Sequence, residues 1–167
     1  MHCDKLRRKR GIEMFSAVLI LHSILRWEVL IFGLLVFLLS LKGWIGSEPF
    51  SKIQKVLGLV FMASFDLQVM LGLSLYFGLS PIVQEAFKDP KIMMRTRELR
   101  FFGVEHIAMM ILSMTIMHAG RIMAKRANEN ATIQKCIALS TGISFLLIFA
   151  SIPWPFLGHG RPLLRLF

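Results

Sequence analysis

FFGVEHIAMMILSMTIMHAGR, residues 101 to 121, is an apolar run long enough to cross a bilayer, yet it carries Glu105, His106 and His118 and closes on Arg121. Ionisable groups cost roughly 2.5 to 3.5 kcal/mol each at the centre of a hydrocarbon span, so those that occur usually face a bundle interior and serve something there. With its last turn the run extends from Phe101 to Ile122, and three others accompany it, at about Phe15 to Leu41, Gln54 to Leu79 and Cys136 to Trp154. Each is near or above the roughly 20 residues that cross a hydrocarbon core of about 30 Å. None shows the polar face of a soluble bundle helix. A chain of 167 residues, 55% hydrophobic, is also too oily for an ordinary soluble globule. The expectation is an all-α polytopic membrane protein, an up-down four-helix transmembrane bundle over residues 14–155.

The net charge of +10 would point to nucleic acid only if the basic residues formed a patch. They flank the spans instead, and nucleic acid is excluded as a partner. Twelve of them, from Lys5 to Arg10, Lys88 to Arg100, and Arg161 and Arg165, fall on one side, against seven on the other. By the positive-inside rule both termini are cytoplasmic. Residues 1–13 then form a basic cytoplasmic tail and residues 156–167, with His159 and Arg161 in a Gly-rich loop, a second one. The connection from Ile82 to Arg100 reads as a short amphipathic helix on that surface, broken at Asp89-Pro90. The basic start is not a cleaved leader, because the apolar run behind it is too long and contains His22, Arg26 and Glu28. Cys3 and Cys136 fall on opposite sides, so no disulfide joins them.

A rise of about 1.5 Å per residue turns position into depth below the cytoplasmic boundary. His22 lies at about 10 Å, Gly72 at about 9 Å, and Glu105 and His106 at about 6 to 8 Å; Arg26 and Asp66 lie at about 16 and 18 Å, and His118 at about 25 Å. The deeper layer predicts a buried ion pair between Arg26 and Asp66 holding spans one and two in register, with Gln68 beside it, or alternatively a proton or quinone site using Asp66 or Glu105. In the shallower layer, spans one and three lie diagonally across the core, so His22 and His106 can approach one haem iron from both faces. Gly72 would make room for a porphyrin edge, and Glu105 would orient an imidazole or sit near a propionate. His118 lies about 120° round the helix from His106, and beside Arg121 it reads as a quinone-headgroup or lipid-phosphate site.

LHSILRW in span one, DLQVMLGLSLYF in span two, RFFGVEH and HAGR in span three, and IPWPFLGHGRPLLR at the C-terminus together resemble a family of small four-span bacterial membrane proteins labelled cytochrome b-like. The resemblance covers residues 14 to 165. It implies haem b and electron transfer, with His22 and His106 as ligands and His118 as a substitute for either. Diheme membrane cytochromes place four histidines in two layers; here span four has none and span two offers Asp66, so a single haem near the inner face is implied. Redox membrane subunits or a second copy of the chain are the expected partners, besides the bilayer. The rival readings are a non-haem accessory or assembly subunit, whose polar residues only fix helix packing, and a small proton-coupled carrier using Asp66, Arg26 and Glu105.

Overall fold

The computed structural model describes the backbone of residues 2–162 and the side chains of residue 6 and residues 9–162. No proline interrupts the first 48 residues, and in hydrocarbon an isolated segment satisfies its backbone polar groups only as a helix. The result is α1, His2–Ile45, whose 44 residues span about 66 Å. The basic stretch expected as a separate tail is therefore the opening of α1 and extends the first span beyond the membrane.

Ser51 and Gln54 then form a capping box, with Gln54 N–H donating to Ser51 Oγ (3.1 Å) and Ser51 N–H to Gln54 Oε1 (2.9 Å). They start α2, Lys52–Ser74, which ends in a π-helical turn at Leu75–Leu79. Where one amphipathic helix was expected there are three short ones, because Asp89, just ahead of Pro90, and Thr96 are extended: α3, Pro81–Ala86; α4, Pro90–Arg95; and α5, Arg97–Arg100. Val83, Ala86 and Met93 anchor them by burial. A second π-helical turn, Phe101–Glu105, leads into α6, His106–Arg126, and α7, Asn130–Ala150, completes the bundle. The last span thus starts six residues earlier than its apolar run, with Gln134 inside it.

α1 packs along α2 and α7, α6 packs along α7, and α2 and α6 touch only sparsely, which puts α1 and α6 diagonally opposite as an up-down bundle requires. Small residues set the close seams. A Cβ on Gly33 would lie 2.9 Å from the Phe61 ring, and one on Gly142 would lie 2.7 Å from Phe37. Polar pairs fix the register. Ser113 Oγ donates to the Ser144 carbonyl (3.1 Å) and Ser144 Oγ to the Ser113 carbonyl (2.8 Å). Gln54 Nε2 donates to Oε1 of the fully buried Gln134 (3.0 Å). Outward, Leu34, Leu38, Leu59, Met70, Leu112 and Leu146 are exposed, as lipid-facing residues are in a multi-pass membrane protein.

The α6–α7 seam gives a contrast between two glycines. A Cβ on Gly120 overlaps the Ser140 side chain and would sit 3.2 Å from the backbone carbonyl of Cys136, whereas one on Gly11 meets nothing within 4 Å. Gly120→Val is expected to destabilise by about 1 to 3 kcal/mol through overpacking. Gly11→Ala should be neutral or stabilising by up to about 1 kcal/mol. Unfolding midpoints in detergent of the two purified variants check this.

Candidate functional site

Span one and span three deliver His22 and His106 to one level of the bundle, their ring centroids 6.4 Å apart and their planes at 66°. Both line a cavity of about 360 Å³ that reaches all four long helices. Its walls are mainly apolar, including Val29, Phe65, Met110 and Ile148, with Arg26 and Arg161 among the charged side chains. That volume lies in the range of small-molecule and cofactor sites.

Each imidazole is held differently. Ser151 follows the last turn of α7, so its carbonyl has no helical N–H to accept from. It takes His106 Nδ1 at 2.9 Å, with Ser151 itself 1% exposed, and as the carbonyl can only accept, Nδ1 carries the hydrogen and Nε2 keeps a lone pair. His22 is reached from α2, where Gln68 Nε2 donates to its backbone carbonyl (2.9 Å). Its Nδ1 is buried without a hydrogen-bond partner, as is Gln68 Oε1. Gly72 faces the same ring, and a Cβ there would lie 3.3 Å from His22 Cε1. The expected shallow layer of His22, Gly72 and His106 is therefore assembled.

Glu105 does not orient an imidazole. It pairs with Arg100 (2.7 Å), and the carbonyl of Ser151 does the orienting instead. Arg26 and Asp66 do not form the expected pair either. Gln68 faces α1, and Asp66, two residues earlier, lies about 200° round the helix, towards α6. There Asp66 Oδ1 meets His118 Nε2 at 2.9 Å. Arg26 remains on the cavity wall, 3.5 Å from Ser23 Oγ and 5.8 Å from the Trp27 ring centre. His118, held by Asp66 and about 18 Å along the helix from His106, does not substitute as a ligand at this level. Arg121 turns inward against Gly58, beside a void of about 20 Å³ that has room for a water and not for a quinone ring.

The chain beyond α7, expected as a free tail, is folded across the cavity mouth as far as it is described. Residues 163–167, with Arg165, lie outside the described residues. Pro153, Arg161 and Pro162 line the cavity. Arg161 pairs with Glu98 and sits over the Phe102 ring at 5.4 Å. His159 stacks on Phe101 with centroids 3.8 Å apart and planes at 25°. The two π-helical turns border the same region and are tied by Tyr76 Oη donating to the Gly103 carbonyl (2.8 Å). Such turns recur at functional sites. Ser151, Tyr76 and Phe101 were not foreseen as site residues; for Ser151 the readable signal was a small polar residue just before a Pro-Trp-Pro helix stop.

Two imidazoles are too few for a bare ion, and among the described residues no group of three His, Cys, Asp or Glu side chains gathers to hold one. A planar group bringing four donors of its own would need only two axial nitrogens. Metal–nitrogen bonds of about 2 Å put the centroids of two imidazoles on opposite sides of one ion roughly 6 to 6.5 Å apart. The 6.4 Å separation of the two rings, both on the wall of one cavity, fits a haem held between them. No family model matches the chain, and no curated protein or solved structure matches it.

Burial holds the His159 imidazole below its ordinary value near 6.5, with the Arg97 charge adding to this and Glu105 and Glu98 opposing it. Once undocked, His159 binds a proton more readily than when docked, so docking is fully favoured above about pH 6.5 and weakens as pH falls towards the lowered native value. Amide exchange over residues 153–162, corrected for its intrinsic pH dependence, is expected to speed up between about pH 7 and pH 5. His159→Phe, which keeps the stack, should remove that acceleration.

Proposed function

We propose that the chain is a haem b-binding electron-transfer or quinone-linked membrane subunit, set in a bacterial inner membrane with both termini cytoplasmic, and that His22 and His106 would hold the haem iron. The observation that carries this is the 6.4 Å separation of two imidazoles brought from diagonal helices into a shared cavity. When bound, haem supplies a reversible one-electron couple.

The chain's own residues supply the rest. Donation from His106 Nδ1 to Ser151 fixes the tautomer that presents Nε2 and raises its basicity. Gly72 keeps the second helix clear of the His22 ring. The apolar walls exclude water, while Arg26 and Arg161 offer positive charge to carboxylates. Residues 153–162 cover the mouth. The imbalance of basic residues towards the end bearing both termini supports the orientation.

Purification in detergent with haem supplied, followed by a reduced-minus-oxidised spectrum, tests the reading. The expected result is a sharp low-spin α band that is lost in both His22→Ala and His106→Ala. A folded, colourless wild-type protein would rule haem out.

A further inference from the structure

We propose that the two imidazoles are unequal, His106 being the anchor and His22 the displaceable ligand, so that the centre admits a small uncharged diatomic ligand on the His22 side. This rests on the haem reading above and concerns what the surrounding residues do to each ring.

His106 is restrained from several directions. Its Nδ1 is bonded to a carbonyl at a helix end that has no competing intrahelical donor. That carbonyl belongs to a buried residue whose own N–H donates to the Leu147 and Ile148 carbonyls and whose Oγ donates to Ile148 (2.8 Å). The rings of Phe101 and Phe102 lie 5.8 and 6.4 Å from it. Turning the imidazole breaks a buried hydrogen bond, and partners of this kind are worth about 10- to 100-fold in ligand affinity.

His22 is restrained less. The nearby α2 carbonyl is that of Gln68, which lies mid-helix and is shared with the Gly72 N–H, so its hold on Nδ1 is weaker than the bond Ser151 makes with His106. On the α2 side the residue facing Cε1 is Gly72, which presents no side chain. The cavity continues past the ring along Phe15, Leu19 and Ser23, giving a displaced imidazole somewhere to go. The exchange breaks one iron–nitrogen bond and forms one bond to the incoming ligand, with no electron transferred.

Carbon monoxide is the probe, added to the dithionite-reduced, haem-loaded full chain in detergent. Wild type should give a shifted Soret band as His22 is displaced. His22→Ala should retain haem on gel filtration, in a five-coordinate form that takes carbon monoxide at least 10-fold faster than wild type. His106→Ala should retain it less well than His22→Ala does. Gly72→Ala, whose methyl would press on His22 Cε1, should change the rate of wild-type carbon monoxide binding several-fold. Haem-loaded wild type unchanged by carbon monoxide, or equal loss of haem from both histidine variants, overturns the inequality and leaves the haem reading standing. Wild type that binds no haem overturns both.

Discussion

A polar group carried into hydrocarbon has no water to fall back on, and the bundle is organised by where each such group finds its partner. Moving along the helices from the end opposite the termini, Gln54 meets Gln134, Asp66 meets His118, Ser113 and Ser144 exchange hydrogen bonds, Gln68 reaches the His22 carbonyl, and His106 reaches Ser151. Each bond joins two different long helices or their ends, so together they fix depth and rotation, which dispersion between apolar faces leaves loose. Not every buried polar atom finds one: Ser40 Oγ, towards the far end of α1, has no hydrogen bond, and neither do the His159 ring nitrogens. His22 Nδ1 and Gln68 Oε1, both without a hydrogen bond, belong to side chains on the cavity wall.

His22 and Gln68 belong to the level where two imidazoles approach each other and Gly72 meets the His22 ring. The same level is bordered by the two π-helical turns and covered by residues 153–162.

The depth of His22, Gly72 and His106 was legible because a regular helix converts residue number into height, and their proximity followed from the diagonal placement of the first and third spans. Rotation was harder to read. Arg26 and Asp66 match in height, but Gln68 and Asp66 are two positions apart and cannot both face α1. That constraint was present in the sequence and would have sent Asp66 towards α6. The Ser51–Gln54 capping box had a readable S-x-x-Q spacing, whereas its second use, as the partner of Gln134, depends on a residue 80 positions away. The fold of residues 153–162 rests on the same kind of long-range contact. A Gly- and Pro-rich stretch reads as loop, and only the ring of Phe101 and the carboxylate of Glu98 give His159 and Arg161 somewhere to dock.

The π-helical turns act as phase adjusters. Closing Phe101–Glu105 with a hydrogen bond from the His106 N–H to the Phe101 carbonyl, five residues back, accommodates one more residue than an α-turn would. One extra residue rotates everything before it by about 100° relative to everything after it. α5 and the contacts it makes with residues 158–161 can therefore face the mouth while His106 faces the cavity. Leu75–Leu79 makes the same adjustment in α2, where the Ser80 N–H reaches the Leu75 carbonyl. The number of residues in these turns is consequently as much a part of the site as their identity, since shortening either by one would change the aim of the cap.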